Sequence, residues 1–189
     1  MRILRAQDRV TTPWKNGGGT TTEIAVHPKG ANFDTFDWRV SVADVREGGP
    51  FSRFAGIDRK LALLKGALTL TIEGRGTLAL TPASPPLEFP GDVPVDAALT
   101  GEAAQDLNVM TRRDVTTSSV TRQTSAGPIA ADPRSTACIL YLLSDATLFH
   151  GTKEFHLHPG DAVSLTSGRN LNLRGEAEFY RIEIFASGV

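Results

Sequence analysis

Arginine, carboxylate and amide side chains recur at alternate positions within otherwise apolar segments of this 189-residue chain. In DLNVMTR (106–112), a strand puts Asp106, Asn108, Met110 and Arg112 on one face and Leu107, Val109 and Thr111 on the other. In WRVSVADV (38–45) the same period sets Arg39, Ser41 and Ala43 against Trp38, Val40 and Val42. In TTTEIAV (20–26) it gives Thr21, Glu23 and Ala25 one face and Thr20, Thr22, Ile24 and Val26 the other. GPFSRFAGIDRKLALL (49–64) carries Ser52, Asp58 and Arg59 just before and into an apolar strand. Polar groups that point into a small β-structure must find partners. Glu23, Arg39, Ser52, Arg59, Asp106 and Asn108 therefore either satisfy one another as a buried network or line the mouth of a site for a small polar ligand. Periodicity and spacing do not choose between the two.

Other chemistries are poorly supplied. PWKNGGGTTTEIA (13–25) is glycine-rich, but a phosphate loop needs its Lys after the last Gly and a helix beyond it. Here Lys15 precedes the glycines and a β-forming run follows, so the glycines are expected to allow close backbone approach or positive φ before a strand. The single Cys138 sits in ACILYLL, which predicts a buried, inert thiol and excludes an internal disulfide. His156 and His158 form an H-x-H on one strand face, yet no third His is near, and they are read as solvent-facing or structural. No metal and no cofactor is expected. No Ser-His pairing is evident among the polar motifs. A carboxylate set among arginines is expected to have a lowered pKa and to be a weak base, which argues against catalysis by Glu23 or Asp106.

The elements that must position these residues are short strands. Eighteen Gly and eleven Pro punctuate the chain, and period-two alternation outnumbers helical periods. Strands are predicted at 61–74 (broken at Gly66), 106–112, 137–144, 153–165 (turning at Pro159-Gly160) and 178–185. Segment 82–105 reads as an ordered loop with one short strand and one helical turn near 102–105, and 113–136 as a weak zone separating two halves. FPGDVPV (89–95) and HPGDAVSL (158–165) each place Pro-Gly-Asp before an alternating strand, with Gly supplying a positive φ. Such a turn recurs in each barrel of the cupin class. The expectation is all-β: a two-barrel cupin with one barrel over 1–118 and a smaller one over 119–189. Twenty basic against twenty-one acidic residues give no electrostatic reason for nucleic-acid or membrane partners. No apolar run approaches the ~20 residues needed to span a bilayer, and a cytoplasmic protein is expected.

PWKNGGGTTTEIA, WRVSVADV, GPFSRFAGIDRKLALLKG and DLNVMTRR together resemble the HutD/Ves family of cupin-like proteins, over most of residues 10–113. The C-terminal half resembles it through strand spacing and the HPGD turn. The resemblance implies a two-barrel cupin and, for members linked to histidine degradation, a non-catalytic role moderating that pathway. It also implies a small carboxylated ligand, such as a formylated or formimino glutamate. The family tends to carry Asp-Phe-Asn where this chain has Asp106-Leu107-Asn108, a change on the apolar face. Asn16, Glu23, Ser52, Arg59, Asp106, Asn108 and Arg112 match the motifs and carry over as ligand-binding candidates. Arg39 joins them from its strand face. Metal-dependent cupins resemble one another in a His-rich first motif, which FSRFAGIDRKLALLKG lacks. Arg39, Arg59 and Arg112 would clamp a carboxylate, since the guanidinium fork suits bidentate recognition. Two other readings stay open: a metal-free isomerase, lyase or hydrolase of a small acid, and a structural or protein-interaction cupin. Edge-to-edge sheet pairing, which hides strand edges, is the ground for expecting a homodimer.

Overall fold

A computed structural model describes residues 1–188. Among the described residues there are seventeen strands and a single 3-10 turn at Ala6–Asp8. In chain order the strands are β1 (Arg2–Leu4), β2 (Thr11–Pro13), β3 (Gly19–His27), β4 (Trp38–Val45), β5 (Gly49–Pro50), β6 (Ile57–Lys65), β7 (Leu68–Ile72), β8 (Gly76–Leu80), β9 (Leu87–Pro90), β10 (Val95–Leu99), β11 (Ala104–Arg112), β12 (Thr116–Ala130), β13 (Ser135–Leu142), β14 (Ala146–His150), β15 (Lys153–Leu157), β16 (Ala162–Leu165) and β17 (Asn170–Ala186). They form two units: Val10–Val115, and Met1–Arg9 together with the chain from Thr116 onward. Among the described residues no helix is long and apolar enough to cross a membrane.

The unit Val10–Val115 stacks a six-stranded sheet, β2-β3-β4-β11-β6-β9, on a four-stranded one, β5-β10-β7-β8. Leu61, Leu63, Leu87 and Phe89 from the first sheet pack with Leu68, Leu70, Ile72 and Val95 from the second in one buried cluster. Each such side chain contributes roughly 1.5–3 kcal/mol on leaving water. Alternation sets which residues of the larger sheet face that core. Asn108 of β11 opposes Ser41 of β4 and Leu61 of β6, and Asp106 opposes Ala43 and Leu63. Met110 likewise opposes Arg39 and Arg59. Directly opposed residues share a face, so Asp106, Asn108, Ser41, Arg39 and Arg59 lie on the core side with Leu61 and Leu63. The opposite face holds Val40, Val42, Leu107 and Val109, which are buried too.

Strict alternation fails in β3. The β3–β4 register shifts between Glu23 and Ala25, so Glu23 opposes Ser41 while Val26 opposes Arg39. The extra residue at Ile24 is a bulge. Glu23 and Val26 thus share the core face, where unbroken alternation would have set them on opposite faces.

The other unit is one seven-stranded antiparallel sheet, ordered β1-β16-β13-β17-β14-β15 with β12 also on β17. Its core gathers Cys138, Leu140, Leu142, Val163, Leu165, Leu173 and Phe179.

Three expectations need correction. Segment 82–105 holds two strands, β9 and β10, because Leu87, Phe89, Val95 and Ala97 alternate into the core despite the prolines around them. Segment 113–136 does contain the division between the two units, at Val115/Thr116, but in place of a weak zone it is largely β12, a 15-residue strand held along β17. No helical turn forms near 102–105; β11 starts at Ala104. The two Pro-Gly-Asp turns also use their glycines differently. Gly160 has φ +91°, whereas Gly91 is not in the left-handed region; a Cβ there would lie 2.9 Å from the Ile57 carbonyl oxygen.

Candidate functional site

The glycine run before β3 joins two antiparallel strands. Trp14 N–H donates to the Gly19 carbonyl at 2.9 Å and Gly17 N–H to the Trp14 carbonyl at 3.1 Å. A Cβ on Gly19 would lie 2.4 Å from the Asp44 carbonyl oxygen and 2.9 Å from the Trp14 ring, so close approach is what the glycine permits there. Asn16 closes this turn by accepting from Gly18 N–H at 3.1 Å, and it is exposed.

On the core face of the larger sheet, Arg59 donates to Asn108 Oδ1 through Nε (3.2 Å) and Nη2 (2.8 Å). The Asn108 amide donates in turn to Asp106 Oδ1. Exposure is 7% for Arg59, 5% for Asn108 and 1% for Asp106, so the triad is withdrawn from water. Asp106 Oδ2 is buried with no hydrogen-bond partner. Burial pushes the Asp106 carboxyl up to about 7 despite the attraction of Arg59 and the Asn108 hydrogen bond. Burial likewise brings Arg59 down to about 10, against the pull of Asp106. The expectation that arginines hold a carboxylate low is reversed here: desolvation outweighs a charge that meets Asp106 through a neutral amide.

Aromatic rings complete the patch. The Arg59 guanidinium lies 4.9 Å from the Phe51 ring centre, 5.2 Å from Phe89 and 5.9 Å from Phe54. Phe54 stacks on Phe33 at 5.3 Å, and the Arg39 guanidinium lies 4.7 Å from the Phe33 ring centre. Arg39 donates through Nε to Glu23 Oε2 at 3.0 Å. The two arginines are thereby linked by a pair of stacked rings, of which Phe33 is half exposed. Such cation–π contacts are worth about 0.5–2 kcal/mol each, the larger values where water is excluded.

Of the eight selected residues, five join this patch: Glu23, Arg39, Arg59, Asp106 and Asn108. Arg112 instead holds a loop, donating to the Phe36 carbonyl (3.1 Å) and the Asp34 carbonyl (2.9 Å), just beyond Phe33 in the chain. Ser52 is exposed in the loop between β5 and β6, and no hydrogen bond or ion pair among the described residues joins it or Asn16 to the patch. Phe33, Phe51 and Phe54 escaped sequence reasoning because loop aromatics carry no periodicity. Their signal was composition: three Phe in two short loops, each leading into an arginine-bearing strand. Elsewhere, the His156 and His158 side chains are 71% and 74% exposed, and they hydrogen-bond Thr147 and Asp145 respectively. Among the described residues no group of three or more His, Cys, Asp or Glu side chains is placed to hold a metal ion. A concavity of about 450 Å³ lies in the other unit, and none of the eight residues lines it. The buried, incompletely partnered charges still make the Arg59 patch the place where the selected residues offer ligand chemistry.

A family model described as HutD matches residues 6–180. The chain is 40% identical over 111 residues to an uncharacterized 21.2 kDa protein in the hutC 3' region of Pseudomonas putida, covering 58% of this chain and 57% of that one. It is 40% identical over 103 residues to Protein Ves of Citrobacter koseri, covering 53% and 52%. The chain thus spans about half the length of the curated relatives it matches. Among solved structures it is similar to a conserved protein of unknown function from Pseudomonas aeruginosa PAO1, at 28% identity and TM-score 0.84 over 97% of this chain and 98% of that one. It is similar also to HutD from Pseudomonas fluorescens SBW25 (formate condition), at 26% identity and TM-score 0.80 over 99% of both. Bacillus subtilis oxalate decarboxylase, at 10% identity and TM-score 0.62 over 98% and 77%, shares the cupin-type fold alone. With its motifs, its antiparallel sheets and a match over nearly its whole length, the chain belongs to the HutD family.

Proposed function

We propose that this is a two-barrel HutD/Ves-type protein whose Val10–Val115 unit binds the carboxylate of a small acidic metabolite. A formyl- or formimino-glutamate-like product of histidine breakdown is the candidate, and holding it would moderate histidine utilisation without turning the ligand over. The observation that carries this reading is Arg59. Its charged guanidinium is buried, its hydrogen-bond partner is a neutral amide, and the carboxylate nearby is held toward its protonated form. The rings around Arg59 stabilise the cation but offer no acceptor. A buried charge without a full counter-charge is costly, and an anionic ligand oxygen would relieve that cost. Arg39, linked to Arg59 through Phe33 and Phe54, would take a second carboxylate of the same ligand, with the half-exposed Phe33 moving aside to admit it. The hutC-region name of the Pseudomonas putida relative and the HutD name of the Pseudomonas fluorescens structure support a link to that pathway.

Isothermal titration with N-formyl-L-glutamate, formimino-L-glutamate and glutarate tests this. Saturable binding is expected, weakened about tenfold or more by Arg59→Lys, which loses the fork, and by Arg39→Ala. No saturable heat with any of these acids, or unchanged affinity in both variants, would refute the assignment.

One observation favours a second reading. A carboxyl near pKa 7 with an unpartnered oxygen is suited to general acid–base work on a bound acid. Product formation from the same acids, abolished by Asp106→Asn with binding intact, would establish an enzyme.

A further inference from the structure

The unit that contains β12–β17 holds a second group of charges on the core side of its sheet. Glu183 of β17 opposes Cys138 of β13 and Ser119 of β12, while Arg181 opposes Leu140 and Thr121. Cys138 and Leu140 belong to the apolar core, so Glu183 and Arg181 share its face. Glu183 is 5% exposed. Its Oε1 accepts from Arg181 Nε (2.9 Å) and Nη2 (2.5 Å) and from the Asp132 backbone N–H (3.2 Å). Its Oε2 is buried and has no nitrogen or hydroxyl donor, with only the weakly donating Cys138 thiol beside the carboxylate. Arg181 Nη2 also donates to the Ala130 carbonyl at 2.7 Å, which leaves Nη1 without a hydrogen bond among the described residues. Arg134 is held in the same way: Nε and Nη2 donate to the two Asp132 oxygens at 3.1 and 2.8 Å, and Nη1 is left over.

Arg134, Arg181, Asp132, Glu183 and Phe185 border the solvent-open concavity of about 450 Å³. That volume suits a small molecule. Two guanidinium groups face two carboxylates, so the lining carries no net charge but keeps both signs incompletely used. A dicarboxylate would bring negative charge to Glu183 Oε2. A simple cation would meet two arginines. A zwitterion satisfies both, because a buried acceptor that lacks a strong donor gains most from a charged N–H and a guanidinium fork gains most from a carboxylate. We propose that this concavity binds a free amino acid, its ammonium on the Glu183 carboxylate and its carboxylate between the Nη1 groups of Arg134 and Arg181. This site is separate in residues and in ligand charge from the Arg59 patch, and neither proposal depends on the other.

Calorimetric titration of the full chain with each proteinogenic amino acid tests it, followed by the N-acetyl and carboxamide forms of the tightest binder. Saturable binding of at least one amino acid is expected, weakened about tenfold or more by either blocking group. Glu183→Gln should weaken it comparably. Arg134→Ala, at an exposed position that does not endanger folding, should weaken it measurably. The proposal is overturned if no amino acid binds, if both blocked forms bind as well as the free one, or if Glu183→Gln and Arg134→Ala both leave the affinity intact.

Discussion

Asp106→Asn isolates the energetic contest at the centre of the candidate site. The carboxyl of Asp106 rises from 3.8 to about 7 on folding, with burial as the leading cause. An acid whose pKa is higher in the folded chain binds more protons there, so stability falls as pH rises between the two values. The penalty is absent below about pH 4, grows between about 4 and 7, and is complete above that range. The rise spans about three pH units, each worth about 1.4 kcal/mol, so wild type should lose roughly 4 kcal/mol that the uncharged variant does not lose. Arg59, at about 10, stays charged throughout and does not blur the comparison. Urea unfolding of both proteins at intervals from about pH 4 to about pH 8 measures the difference, because groups elsewhere titrate alike in both. The gap should move toward the variant as pH rises. A gap that is flat with pH would show an ordinary carboxylate at 106. A gap moving toward wild type would show that the attraction of Arg59 exceeds desolvation, and the charge balance assigned to the patch would be wrong.

Backbone crowding and thiol burial can be probed as directly. Gly19→Ala should destabilise the Val10–Val115 unit by about 1–3 kcal/mol in denaturant melts, since its Cβ would lie 2.4 Å from the Asp44 carbonyl oxygen; an unchanged midpoint would show that the β2–β3 turn has room. Burial and then the nearby Glu183 charge push the Cys138 thiol up to about 12, so a thiol-specific disulfide reagent should fail to label the native protein at neutral pH and label it at once in urea; prompt native labelling would contradict the packing of β13.

What the sequence made legible followed from side chains that alternate. WRVSVADV and DLNVMTR predict which residues of β4 and β11 share a face, and the register agrees residue for residue, Asp106 with Ala43 and Asn108 with Ser41. The bulge at Ile24 was not legible, because an inserted residue changes no residue type and shows only in the pairing with β4. Strand β12, TTSSVTRQTSAGPIA, is nearly all polar or small, and its backbone hydrogen bonds to β17 supply an order that hydrophobic pattern does not announce. At the candidate site, strand-borne Arg39, Arg59, Asp106 and Asn108 could each be placed on a strand face from spacing alone. How the two arginines are linked depends on Phe33 and Phe54, whose positions are set by loops. The same limit explains Arg112: its donors go to the carbonyls of the loop that carries Phe33, which no strand period foretells.

Strand β1 pairs with β16, Ile3 opposite Val163, and Arg5 binds the carboxylate of Asp161, 156 positions later in the chain. During translation residues 2–5 must therefore wait, unpaired, until residues 161–164 have been made. By then every strand from β2 to β11 has been synthesised and can already have assembled, since that unit uses no partner outside Val10–Val115 for its sheets. Closing so long an intervening segment carries an entropic penalty that rises only as the logarithm of its length. The delay is thus set by the order of synthesis and subtracts little from the stability of the finished protein.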